Sequence, residues 1–212
     1  MINLQGFKLS QVSAVLLKIR RMFDVDHNPV HLPIAPTIRS TGVRIPGSFD
    51  PFETAVSIIL SQLVSIQQAA RKLAELIEQF GTSVNGKEIY RFPDPATLMT
   101  TEVETIGMTR SKANAIRGLS RMVHEGALHF SYSADLSKTR KQLLAIKGIG
   151  PWTTEMIMMR CFGDADAFPE SDLIIKRALD QNLVDEAMWK TSRSYLTHYV
   201  WNEFAETLSK RK

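Results

Sequence analysis

Residues Leu143 to Leu179 read LLAIKGIGPWTTEMIMMRCFGDADAFPESDLIIKRAL, and they decide the fold. One helix ends at Lys147, Gly148-Ile149-Gly150 turns the chain, and Pro151 opens the next helix. Glycine past a helix end and proline at a first helical position are what a tight helix–hairpin–helix requires. The loop Lys147, Gly148, Ile149 and Gly150 lets backbone N–H groups approach an anion closely, and the helix amino terminus behind it adds partial positive charge. Such a hairpin can grip a phosphate without reading bases. Gly-x-Gly between two helices, taken alone, fits a plain turn equally well.

Outward from the hairpin, helical spacing dominates. Val12, Val15, Leu16, Ile19, Met22 and Phe23 predict an amphipathic helix over Leu9 to Phe23. Asp24 to Gly47 holds four prolines and reads as a wandering connection, a seam between substructures. From Phe52 the apolar positions recur to Phe80, between Asp50-Pro51 and Gly81, so periodicity alone draws one long helix; a break near Ser61–Ser65 is compatible but not required. Phe92-Pro93-Asp94-Pro95 turns into two short helical pieces ending at Gly107. Further helices are expected at Ser111 to His124, Asp135 to Ile146, Trp152 to Phe162, Ser171 to Asp180 and Thr191 to Leu208. In the first of these Lys112, Arg117 and Arg121 are expected to be solvated. Leu128 to Tyr132 is the one strand candidate, too short to found a sheet. The fold class is all-α.

Composition narrows the function classes. The 212 residues are 44% hydrophobic and 23% charged, which excludes disorder and leaves room for one large domain or two small ones. Lys and Arg exceed Asp and Glu by 26 to 22, a mild tilt toward polyanions. The lone Cys161 excludes an intramolecular disulfide, a four-cysteine zinc site and a cysteine-held iron–sulfur cluster within one chain. His27 with His31, and His124 with His129, have no third ligand at useful spacing, so no metal held by side chains is expected. The opening MINLQGFKLS lacks a signal-peptide pattern, and apolar stretches such as Ala55 to Leu60 fall short of the about 20 residues of a membrane span. A soluble, cytoplasmic protein is the expectation.

The spacing beyond the hairpin adds a resemblance. Asp172 stands twenty residues after Trp152, at the start of the next helix. LLAIKGIGPWTTEMI followed by FPESDLIIKR resembles the helix-hairpin-helix (HhH-GPD) DNA glycosylase superfamily, and within it the bacterial alkylbase glycosylases of the 3-methyladenine DNA glycosylase II type (AlkA-type). IRRMFD (Ile19 to Asp24), GVRIPGSFDPFETAVSIILSQLVSIQQAA (Gly42 to Ala70), RFPDPATLM, IGMTRSKANAI and RSYLTHYVW (Arg193 to Trp201) agree, in order, along nearly the whole chain. The family carries a mixed α/β domain ahead of the IRRMFD region, and eighteen residues precede that stretch here. The sequence is therefore expected to correspond to the two helical domains alone.

The resemblance implies a two-lobed helical bundle with the active-site cleft between lobes. Residues 48–163, with the hairpin at about 143–160, would form the central lobe. Residues 1–47 plus 164–212 would form the second, the crossings falling at Asp24 to Gly47 and Gly163 to Glu170. It implies a monofunctional glycosylase that flips alkylated purines out of duplex DNA and excises them in base excision repair, working as a monomer in a bacterial cytoplasm. Asp172 would be the catalytic carboxylate, although from the residues alone it also reads as a helix cap paired with Lys176. In bifunctional relatives a lysine at the place of Trp152 attacks the sugar; Trp152 offers no amine. Trp152 and Trp201 would wall the base pocket, with Met156 one turn after Trp152 where relatives show an aromatic; simple burial is the alternative reading of each Trp. Leu63 would be the wedge inserted where the flipped nucleotide left the stack, with Gln62 facing the opposing strand or lesion; Leu63 fits the buried stripe of an uninterrupted helix equally well. Lys147, Arg110 and Lys112 could meet phosphates. The resemblance further implies a monovalent cation held by hairpin backbone carbonyls near Lys147 and Ile149, and no other cofactor. Two rivals stay open, a non-catalytic helix-hairpin-helix DNA-binding module and a glycosylase for another damaged base.

Overall fold

Apolar residues at three- and four-residue spacing wind nine α-helices among the described residues, 8–28, 42–86 and 89–209, of this computed structural model. In chain order they are α1 Leu9–Met22, α2 Pro51–Leu60, α3 Ile66–Phe80, α4 Pro95–Thr100, α5 Arg110–His124, α6 Leu136–Leu144, α7 Pro151–Phe162, α8 Leu173–Asp180 and α9 Arg193–Ser209, with short 3-10 turns at Val103–Ile106 and Glu186–Trp189. The all-α expectation is met. Leu128 to Tyr132 is not a strand: the amides of Ala127 and Leu128 close the end of α5 on Met122 O, and Leu128 is buried. The pairing among the described residues is instead a two-residue antiparallel ladder, β1 Thr82–Ser83 with β2 Tyr90–Arg91. Two units divide the chain, one of Pro51–Phe162 and the other of Met1–Asp50 with Gly163–Lys212.

In the unit Pro51–Phe162, α7 is the central element and packs on α2 and α6, while α4 packs on α5. Eight of its residues from Thr153 to Phe162 are buried, among them Ile157, Met158 and Phe162, so it is apolar nearly all round rather than striped. Each such side chain removed from water stabilises by about 1.5–3 kcal/mol. The periodicity from Phe52 to Phe80 is broken. The Ser61 amide closes α2 on Ser57 O at 3.0 Å, Leu63 turns left-handed at φ 55°, and Ser65 caps α3 in a reciprocal box with Gln68.

Two charged side chains expected in solvent are used internally. Arg117 forks onto Glu104 at 2.6 and 2.7 Å, tying α5 to the 3-10 turn before it. Lys112 donates to Leu60 O at 2.8 Å, and burial holds its ammonium below the ordinary lysine range. Both were placed outward by helical periodicity, which does not see the neighbouring carbonyl or carboxylate.

In the other unit α8 packs on α9. Asp24, left-handed at φ 50°, gathers the chain after α1: its carboxylate accepts from the Ile45 amide at 3.2 Å and from the Tyr195 hydroxyl at 3.0 Å. His27 stacks on the Tyr195 ring at 3.9 Å. Burial and the Asp24 carboxylate push the Tyr195 hydroxyl well above the ordinary tyrosine range. The middle of the Asp24 to Gly47 connection, with His31, lies outside the described residues, as does the side chain of Leu208. No helix among the described residues is long and apolar enough to cross a membrane.

Candidate nucleic-acid interface and active site

The hairpin is built by small residues on a neighbouring helix. Ser111, Ala115 and Gly118 form one face of α5 at spacings of four and three. A Cβ on Gly148 would stand 2.4 Å from Ser111 O and 3.1 Å from the Ala115 methyl, and one on Gly118 would stand 2.6 Å from the Ile146 side chain. Gly148 also has φ 96°, so both space and conformation exclude any other residue there. Ile146 and Ile149 are buried and anchor the turn from below, and the Ile149 amide donates to Ile146 O at 3.0 Å. Arg140 on α6 and Glu155 on α7 bolt the two helices together at 2.8 and 3.1 Å. Gly150 O accepts from the Thr154 amide at 2.9 Å and so opens α7. The amides of Gly148 and Gly150 meet no acceptor among the described residues, and Lys147 is exposed beside them. This is the geometry of an anion grip.

The turn between α2 and α3 lies against that hairpin. Gln62 donates through its amide nitrogen to Gly148 O at 3.1 Å and to Thr153 Oγ1 at 2.8 Å. Gln62, expected to face the opposing strand or lesion, is half-buried here, with its amide N–H groups directed to the hairpin. Its side chain is drawn inward by a carbonyl and a hydroxyl that would otherwise lack this donor. Leu63 next to it is wholly exposed, at 104%, and Ile66 is 87% exposed, so an apolar knuckle projects from the unit. A leucine in the left-handed region costs about 1–2 kcal/mol, and full exposure recovers none of that by burial. The buried stripe to which periodicity would assign Leu63 is excluded. Lys112 of the expected phosphate contacts is likewise reassigned, since its ammonium caps α2, whereas Arg110 and Lys147 stay exposed.

Trp152, half-buried, sits in the first turn of α7, and Met156, one turn on, is 7% exposed. Asp172 and Trp201 belong to the other unit and meet there. Asp172 caps α8, its Oδ1 accepting from the amides of Ile174 at 3.0 Å and Ile175 at 3.2 Å, and the Trp201 indole N–H donates to the same oxygen at 3.2 Å. Capping and a candidate catalytic role thus coincide in one carboxylate. Two backbone amides at a helix amino terminus and one indole N–H converge on a single carboxylate oxygen. The indole edge, not a buried face alone, explains Trp201's place at the rim of its helix stripe, and His198 stands edge-on to it at 5.2 Å.

Sequence reading missed the residues that hold the loop ahead of Asp172. Arg193, at the start of α9, donates to Asp166 at 2.9 and 2.7 Å and to Glu186 at 3.0 Å. Ser194 Oγ donates to Asp164 O at 2.7 Å and Ala167 O at 2.9 Å, and its amide to Ala165 O. The Arg193 guanidinium holds the Asp166 carboxyl below its ordinary range. A visible signal existed, Arg193-Ser194 beginning a helix after a segment that holds Asp185 and Glu186, but nothing in the sequence pairs Arg193 with Asp166, 27 residues before it. Among the described residues no cluster of His, Cys, Asp and Glu could hold a metal ion.

This hairpin, helical throughout and followed by a capping aspartate, defines the class: residues 56–194 match the family described as HhH-GPD superfamily base excision DNA repair protein. The chain belongs to that superfamily. It is 31% identical over 205 residues to the probable bifunctional transcriptional activator/DNA repair enzyme AlkA of Mycobacterium tuberculosis, covering 87% of this chain and 41% of that protein. It is 29% identical over 212 residues to DNA-3-methyladenine glycosylase 2 of Escherichia coli, covering 94% and 75%. The chain thus spans about two fifths of the mycobacterial relative's length. The 8-oxoguanine glycosylase/lyase of Clostridium acetobutylicum, solved with double-stranded DNA, shares the fold at TM-score 0.74 and 19% identity, over 95% of this chain and 77% of that one.

Proposed function

We propose that this chain is a monofunctional DNA glycosylase that flips an alkylated purine from duplex DNA and hydrolyses its bond to deoxyribose. The observation that supports it most is the Asp172 carboxylate, fixed by two backbone amides and the Trp201 indole. The relatives named for 3-methyladenine release in Escherichia coli and Bacillus subtilis support the substrate class.

In this reading the hairpin amides hold a phosphate and the Leu63 knuckle fills the gap left by the flipped nucleotide. As the bond between the base nitrogen and C1′ breaks, its electron pair leaves with the base, and positive charge builds on the sugar. Asp172 stabilises that charge and orients a water, whose oxygen bonds to C1′ while the carboxylate takes its proton. A methylated purine carries positive charge before cleavage and leaves neutral, so it departs readily. Stacking it on an indole face, as Trp201 offers beside the carboxylate, favours the cation by about 1–2 kcal/mol. The carbonyls of Lys147 and Ile149 accept no hydrogen bond from the described residues; they are the groups that would hold a monovalent cation, which would add positive charge at the phosphate.

Trp152 has no amine to form a Schiff base. Incubated with alkylated duplex and borohydride, the protein is expected to yield abasic sites in intact strands and no covalent adduct. A trapped adduct or strand cleavage without added base would refute the monofunctional reading.

A further inference from the structure

We infer that Gln62 is a positioning residue that couples the Leu63 knuckle to the glycine hairpin, so that phosphate grip and wedge insertion act as one rigid bracket. The inference rests on the reading of Leu63 as the wedge. Gln62 lies 86 residues from Gly148 and 91 from Thr153 in sequence, yet its one amide group bridges both, at 3.1 and 2.8 Å. Thr153 is 3% exposed, so its hydroxyl is spent inside the protein, and Gly148 is the residue that α5 admits only without a side chain.

The turn is held from two further sides. Ser61 Oγ donates back to Ile58 O at 2.7 Å, and Lys112 on α5 donates to Leu60 O at 2.8 Å. Each of these fixes the end of α2; Gln62 reaches the hairpin itself. Leu63, wholly exposed in a left-handed conformation, makes no packing contact that would hold it there. The polar ties beside it set its position. Because α5 cradles Gly148 and also caps α2 through Lys112, hairpin and turn share one frame, and Gln62 closes it. A side chain that read the opposing strand would present its amide outward; this one is committed inward, to a carbonyl and a hydroxyl of the phosphate-gripping element.

The test uses the full chain and duplexes carrying 2-aminopurine beside an abasic-site analogue, or no lesion. Four variants are compared: Leu63→Ala, Gln62→Met (similar length, no donor), Thr153→Val, and Gln62→Met with Thr153→Val. Leu63→Ala and Gln62→Met are each expected to cut the fluorescence rise about threefold or more, read at saturating protein so that a change in affinity does not enter. The double variant is expected to lose no more than Gln62→Met alone, and the loss to be the same whichever base stands opposite. Additive losses, a loss that changes with the opposing base, or an unchanged rise in Gln62→Met beside a reduced one in Leu63→Ala overturn the inference. An unchanged rise in Leu63→Ala overturns instead the wedge reading beneath it. Thermal melts accompany each variant; if Gln62→Met does not fold, Gln62→Glu, which keeps the shape but loses the donor, takes its place and the same outcomes decide.

Discussion

A single oxygen gathers donors from two elements of this chain. Oδ1 of Asp172 accepts from two backbone amides and from Trp201 Nε1. The amides come with the helix and survive any side-chain change; the indole donor does not. A hydrogen bond to a charged group contributes about 1.5–3 kcal/mol, and Trp201→Phe keeps an aromatic face while removing the donor. In the proposed reaction Trp201→Phe is expected to lower kcat about tenfold with little change in KM, because the donor steadies the carboxylate and not the ground-state base. Single-turnover base release checks this; a rise in KM at unchanged kcat would show that Trp201 serves the pocket wall alone. Asp172 and Trp201 were both singled out in the sequence. Their hydrogen bond was not, since twenty-nine residues and a helix–helix packing separate them.

Elements were legible where one physical signal governed them. Apolar spacing and turn residues marked α5, α6, α7 and α8 to within two residues. The break between α2 and α3 shows the opposite case. Apolar residues continue at helical spacing through Leu63 and Ile66, yet Ser65 and Gln68 form a capping box that starts a new helix. Periodicity hid a signal that Ser-x-x-Gln states openly. Ser65→Ala is expected to cost about 1 kcal/mol in chemical unfolding, against about zero if the cap were incidental. Ion pairs were not legible: Arg117 and Glu104 are thirteen residues apart across a turn. The Arg117 fork, followed by the local backbone hydrogen bond, lowers the Glu104 carboxyl to about 2 from 4.5. Its folded value lies below its unfolded one, so the pair stabilises fully above the ordinary carboxylate range and is lost as pH falls from about 4.5 toward 2. Melting temperatures over that window should fall less steeply in Glu104→Gln than in the parent chain. Partial exposure keeps the difference small, and identical acid limbs would show that the pair contributes nothing measurable.

For the whole molecule, the excess of four positive charges said little. Backbone amides at a glycine hairpin can hold a phosphate without them, and one of the expected phosphate lysines, Lys112, proved to be an internal cap. What mattered was order along the chain: hairpin, then Trp152, then Asp172. The family follows from that order, and the matched span 56–194 contains the hairpin, Leu63 and Asp172 together. In the proposed function these parts together release a base. The most direct measurement incubates the protein and its Asp172→Asn variant with methylated duplex DNA and identifies the free bases by chromatography. The proposed reaction yields 3-methyladenine and 7-methylguanine from the parent chain, and from Asp172→Asn a rate lower by about a thousandfold or more with DNA binding retained. No free base above background from the parent chain, or undiminished release by Asp172→Asn, would contradict it.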